Sequence, residues 1–137
     1  MSATARTAPD VPAMRKNGLK NVLIVDDDSV FSATLADGLA TVHPGLSVFT
    51  ACNGKEAVAL MNVRSIDLVI TDLRMPAMGG LELTQWINEL WPQTPVIVMS
   101  AYADAGTVLD LSTQGNYFFD KPLDFRTLAR TVDSLLH

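Results

Sequence analysis

The sequence predicts an α/β fold, a doubly wound parallel sheet with helices on both faces. Three observations predict it. Short apolar runs rich in β-branched residues alternate with longer stretches whose apolar residues recur at helical spacing. The alternation occurs five times without an internal repeat. At 137 residues and 48% hydrophobic, the chain can bury one good core and is too short for two.

Residues 1–19 stand outside this pattern. They are rich in Ala, Thr, Ser and Pro, lack apolar periodicity, and are expected to form a disordered tail ahead of one folded domain at 20–137. Transit peptides share the low acidity, but a plain tail is the simpler reading.

The first strand is predicted at Val22–Val25, a continuous apolar run suited to a strand covered on both faces. A helix over 29–42 follows, with Phe31, Leu35, Leu39 and Val42 on one face and His43-Pro44-Gly45 as its stop. The second strand is Leu46–Ala51; Cys52 beside it is expected to be a small core residue without a chemical role. A helix over 54–62 leads to the third strand, Leu68–Thr71, and a helix over 80–91 stops at Trp91-Pro92. The fourth strand is Val96–Ser100. The helix after it, 105–114, has the lowest propensity, because Gly106, Thr107 and Ser112 interrupt a short stripe of Val108, Leu109 and Leu111. It is the element expected to move. The fifth strand is Tyr117–Phe119, and a helix over 124–136 carries Phe125, Leu128, Ala129, Val132, Leu135 and Leu136 as its buried stripe.

Composition excludes several classes. No apolar run approaches the roughly 18 residues needed to cross a bilayer. The N-terminus lacks the apolar stretch of a secretory signal and the single cysteine cannot pair within the chain, so a cytoplasmic setting is expected. Residues 21–137 carry 6 basic and 14 acidic side chains, a charge of −8 that repels nucleic-acid phosphates. Such a surface attracts cations or a basic partner instead.

In a doubly wound sheet, ligands bind beyond the carboxyl ends of the strands. Asp26, Asp27 and Asp28 follow the first strand, Asp72 the third, Ser100 ends the fourth, and Lys121 follows the fifth. If the first and third strands are neighbours, about 5 Å apart, carboxylates from both reach one ion. Carboxylates that close raise each other's pKa unless a divalent cation or a lysine compensates, and an all-oxygen set favours Mg²⁺. Asp28 is expected only to cap the first helix.

Four segments, Val22-Leu23-Ile24-Val25-Asp26-Asp27, Val69-Ile70-Thr71-Asp72-Leu73-Arg74-Met75-Pro76, Val96-Ile97-Val98-Met99-Ser100-Ala101 and Lys121-Pro122, resemble the receiver domain of bacterial two-component response regulators in order and spacing, over about residues 20–136. The resemblance implies a flavodoxin-like sheet of order 2-1-3-4-5. It also implies that Asp72 accepts a phosphoryl group from a phosphohistidine, and that Asp27, Asp72 and the backbone carbonyl of Arg74 bind Mg²⁺, with Asp26 acting mainly through metal-bound water. Ser100 and Lys121 would contact the phosphoryl oxygens, Phe118 would turn inward as a switch, and Lys121-Pro122 would be a cis peptide. The chain would then be no enzyme beyond catalysing its own phosphorylation and dephosphorylation. Implied partners are a sensor histidine kinase or a histidine phosphotransfer protein, and a downstream protein target or a removed output domain. A phosphorylation-dependent homodimer is also implied, with no membrane and no direct nucleic-acid contact. The signal would leave through the fourth helix, fifth strand and fifth helix.

The sequence departs from the family where Gly79 replaces the Asp or Asn that often precedes the glycine, which removes a cap from the third helix. Arg74 and Tyr102 are bulky at positions that govern water access in the family, so slow loss of phosphate is expected. A second resemblance competes. Asp26-Asp27-Asp28-Ser29-Val30 is similar to the nucleophile motif of haloacid-dehalogenase-type phosphatases, with Asp26 as nucleophile and Asp28 as acid. Against it, there is no cap domain, and Asp124 and Asp133 fall on the last helix rather than in a metal-binding pair. A third reading, an interaction module that is never phosphorylated, conflicts with the complete acidic set.

Overall fold

The computed structural model describes residues 18–75 and 77–136; residues 1–17 of the expected tail, Pro76 and His137 lie outside the described residues. The elements are β1 (Lys20–Val25), α1 (Ser29–Val42), β2 (Leu46–Ala51), α2 (Gly54–Met61), β3 (Leu68–Asp72), α3 (Gly80–Leu90), β4 (Val96–Ser100), α4 (Ala105–Thr113), β5 (Tyr117–Asp120) and α5 (Phe125–Leu135). All five strands are parallel in the order β2-β1-β3-β4-β5.

Alternation along the central strands divides the core. Leu23, Val25, Val69 and Val98 face a cluster closed by Ala57 and Met61 of α2, Leu83 and Ile87 of α3 and Leu111 of α4. Val22, Ile24, Ile70 and Met99 face a second cluster closed by Leu35 and Leu39 of α1 and Leu128 and Val132 of α5. Both sides of β1, β3 and β4 are therefore covered, which is why those strands read as unbroken apolar runs.

Three sequence expectations need correction. Val42 is 49% exposed, because α1 ends there and Phe125 and Ala129 approach its last turn without closing over it. Leu109 is 63% exposed, and Leu111 alone is buried on α4. Cys52 is exposed rather than core, since the β1–β2 register ends at Val25 and Ala51 and leaves it on the rim. The negative charge of Glu56 above all, then desolvation, pushes its thiol pKa up, so it stays protonated at neutral pH.

Helix starts follow the capping rule. Asp28 accepts from Val30 N and Phe31 N, Asn53 from Glu56 N, Asp104 from Thr107 N, and Asp124 from Arg126 N and Thr127 N. At α3 the Ncap is Gly79, with no side-chain hydrogen bond, as its departure from the family pattern implies. The backbone N–H of Thr127 holds the Asp124 carboxyl below its ordinary pKa. A depressed carboxylate contributes stability that is present above its unfolded pKa and lost as pH falls through the folded one. Asp124→Ala is thus expected to be less stable than wild type at neutral pH, with the gap closing in acid, as read by urea unfolding over a pH series. A gap independent of pH would reject this.

Candidate functional site

The register of the sheet places the polar side chains. Val25 pairs with Thr71, so Asp26 and Asp72 are the next residues outward on adjacent strands; Asp72 pairs with Met99, and Ser100 with Asp120. Backbone bonds extend the pairing past the strand ends, with Asp26 N donating to Ala51 O at 3.1 Å, Leu73 N to Met99 O at 2.8 Å and Lys121 N to Ser100 O at 2.9 Å. The carboxyl edge therefore holds Asp26, Asp72, Ser100 and Lys121 on four ordered backbones.

The three consecutive aspartates after β1 have different surroundings. Asp26 is 2% exposed, its Oδ2 accepts from Lys121 Nζ at 2.9 Å and its Oδ1 from Asp28 N at 2.9 Å. Asp27 is exposed, while Asp28 is committed to the α1 cap. Asp72 is half-buried, and its Oδ1 accepts from the same Lys121 ammonium at 3.2 Å. Lys121 also lies over the ring of Phe31, 4.4 Å from its centroid. The peptide bond between Lys121 and Pro122 is cis.

Carboxylate oxygens of Asp26, Asp27 and Asp72 can lie within 4.8 Å of one another. Burial above all raises the pKa of Asp72; the charges of Asp26 and Asp27 push the same way, while Lys121 opposes them. Burial pulls the Lys121 ammonium down, but its bonds to Asp26 and Asp72 prevail and its pKa is raised. One lysine thus compensates two of three acids. The remaining negative charge and the all-oxygen donors fit a hard divalent cation that keeps several waters, as Mg²⁺ does.

Ser100 is buried, and its Oγ accepts from Tyr102 N at 3.1 Å, which leaves its hydroxyl proton free to point elsewhere. Phe118 pairs with Val98 and packs in the cluster that Leu111 of α4 joins. Arg74 is exposed, and its Nη2 donates to Tyr102 O at 3.0 Å, which ties the loop after β3 to the loop after β4. The sequence reading missed the Phe31 contact and the tight fit at Gly80. Phe31 looked like any other apolar residue of α1, and no spacing rule separates a core aromatic from one stacked on a cation.

A family model described as the response regulator receiver domain matches residues 22–133. The chain is 36% identical over 117 residues to the transcriptional regulatory protein GlrR of Escherichia coli K12, covering 85% of this chain and 26% of that protein. It is 36% identical over 113 residues to the DNA-binding transcriptional regulator NtrC of Salmonella typhimurium, covering 82% of this chain and 24% of that one. It therefore spans about a quarter of the length of these curated relatives. Among solved structures, a response regulator receiver protein from Pseudomonas putida superposes with a TM-score of 0.80 at 30% identity, covering 87% of this chain and 99% of that one. The phosphatase alternative finds no support here, and both oxygens of its nominal nucleophile, Asp26, are already engaged.

Proposed function

The chain belongs to the response regulator receiver domain family, and on that premise we propose that Asp72 is its phosphoacceptor, Asp27 and Asp72 with the Arg74 carbonyl its Mg²⁺ ligands, and Asp26 their water-mediated support. Receiver domains are signalling switches, and response regulators that carry them are phosphorylated by histidine kinases. The observation that carries the reading is a half-buried Asp72 carboxylate at the sheet edge, held by Lys121 beside two further carboxylates.

The chemistry follows from that arrangement. A carboxylate oxygen of Asp72 donates its electron pair to the phosphorus of a phosphohistidine. The P–N bond breaks with its electrons going to the imidazole, and a mixed anhydride remains on Asp72. Mg²⁺, when bound, neutralises charge on the phosphoryl oxygens. Lys121 is already within hydrogen-bond reach of Asp72 and passes a donor to the new phosphoryl group, and the Ser100 hydroxyl turns from its own loop to supply another. Movement of Ser100 frees space near Val98 and Phe118, and the change leaves through α4, β5 and α5. That α4 buries only Leu111 supports its role as the moving part.

The donor is then a sensor histidine kinase or a histidine phosphotransfer protein, and the receiver of the signal a downstream protein, an output domain or a second copy. The domain catalyses only its own phosphorylation and dephosphorylation. The acidic surface argues against direct nucleic-acid contact. Among the described residues no helix is long and apolar enough to cross a membrane, and a cytoplasmic setting fits the single unpaired cysteine.

Incubation with acetyl phosphate is expected to load one phosphate per chain with Mg²⁺ and none after chelation. Once donor is removed, the label should persist for minutes or longer, since Arg74 and Tyr102, joined by a hydrogen bond, are bulky residues at positions that govern water access in the family. Beryllofluoride should change amide exchange within 102–120 as well as around Asp72. Loading independent of metal, loss within seconds, or exchange confined to Asp72 would each count against the matching part of the proposal.

A further inference from the structure

Lys121, Asp26, Asp28 and Phe31 form a closed ring of contacts beside Asp72. The Lys121 ammonium donates to Asp26 Oδ2 at 2.9 Å; Asp26 Oδ1 accepts from Asp28 N at 2.9 Å; Asp28 Oδ1 accepts from Phe31 N at 3.0 Å; and the Phe31 ring returns to Lys121 Nζ at 4.4 Å. We infer that Phe31 is a positioning residue for phosphoryl transfer, holding the Lys121 ammonium against its π face in line with Asp72. The inference rests on the receiver reading of Asp72.

An ammonium has three donors, and in the resting state Asp26 and Asp72 occupy two. Once Asp72 is phosphorylated, the bond to Asp72 Oδ1 must be exchanged for one to a phosphoryl oxygen, while the bond to buried Asp26 remains. During that exchange a lysine on a four-carbon stem, with a side chain 23% exposed, is free to swing toward water. A ring face attracts the cation through its quadrupole, yet it has no lone pair that competes with the phosphoryl oxygen. It therefore restrains the ammonium without having to be displaced. The Asp28 cap sets the first turn of α1 so that the side chain three residues on projects over the site. Phe31 also packs on the α1 and α5 side of the core, so its hydrophobic and electrostatic roles must be separated.

Fluorination separates them, because mono-, di- and trifluorophenylalanine keep nearly the shape and apolarity of the ring while draining its π face. Phe31 also borders an apolar groove of about 920 Å³ with Leu35, Pro122, Leu123 and Phe125, so a protein donor that docked there would respond to the ring itself. Small donors, acetyl phosphate and phosphoramidate with Mg²⁺, avoid that complication. The loading rate is expected to fall stepwise with fluorination, by roughly three- to tenfold at the trifluoro ring, while the melting temperature stays near wild type. Phe31→Leu should be slowed at least as much and Phe31→Tyr should recover most of the rate. In the wild-type NMR spectrum the ε-methylene protons of Lys121 should be shifted upfield by the ring, and Phe31→Leu should remove the shift. A rate flat across the series, a rate that tracks melting temperature instead of ring electronics, or unshifted Lys121 protons overturns the inference. A wild-type protein that takes up no phosphate overturns the receiver reading itself, and this with it.

Discussion

Asp72→Asn is expected to abolish phosphate loading altogether and to leave the fold at least as stable as wild type at neutral pH. The first half follows from chemistry. An amide oxygen is not a nucleophile toward phosphorus under these conditions, and Asp26, with both oxygens engaged, cannot take over. The second half follows from linkage. Burial above all, then the charges of Asp26 and Asp27, raises the folded-state pKa of Asp72 in spite of Lys121. A carboxyl whose folded pKa lies above its unfolded value costs stability when ionised. That cost is full above the folded pKa and fades as pH falls toward the unfolded value. Asparagine removes it, while its carbonyl oxygen still accepts from Lys121. The stability of the variant relative to wild type should thus be greatest near neutral pH and shrink in acid. Intact-mass measurement of loading and thermal unfolding across pH check both halves. Residual loading on another residue would displace Asp72 as the acceptor, and a variant less stable than wild type at neutral pH would contradict the electrostatic account.

Gly80→Ala should damage both fold and site. A Cβ at Gly80 would clash with Asp72 O and lie 2.7 Å from Leu73 Cα and 2.9 Å from Asp72 C, all backbone atoms that cannot rotate aside. Gly80 N already donates to Leu73 O at 2.9 Å, so the start of α3 and the end of β3 cross at the closest approach a glycine allows. Inserting a methyl must push α3 off the sheet or shift the backbone that carries Asp72. Overpacking costs about 1–3 kcal/mol where side chains can yield, and the cost here should sit at or above the top of that range. A displaced Asp72 also leaves Lys121, now 3.2 Å away, and loading should slow sharply. Gly79 is the control, because its Cβ would meet only Leu73 O at 3.5 Å and Met75 O at 3.6 Å. Gly79→Asp should stabilise only slightly, by a few tenths of a kcal/mol, by supplying the missing α3 cap. Equal behaviour of Gly80→Ala and wild type in urea unfolding would show that the crossing is looser than described.

Much of this molecule was legible in its residues. β1, β3 and β4 are covered on both faces and leave an unmistakable apolar run, and chemistry beyond their carboxyl ends is a property of the fold class. Strand bounds agree to within two residues, the largest difference being the polar start of β1 at Lys20 and Asn21, and the side chains misassigned lie where the coverage of a face runs out. Val42 follows the helical period of α1 but sits past the last residue that α5 covers; Leu109 turns outward on a helix anchored through Leu111. Cys52 lies one residue beyond the paired end of β2. A period in sequence assigns a face, and it cannot say how far the neighbouring element extends.

Local pattern alone specified the parallel sheet, the edge where polar side chains gather and the acidic set with its lysine, because each is written in periodicity and in the residues just past a strand. Three-dimensional packing was needed to divide the work of three consecutive aspartates, with Asp26 buried against Lys121, Asp27 exposed and Asp28 capping α1. Packing likewise stacks Phe31 on the ammonium and denies Gly80 a side chain. The reason is distance along the chain: Asp26 and Lys121 are 95 residues apart, and their contact depends on the register of strands and the seating of α1, which no local pattern encodes.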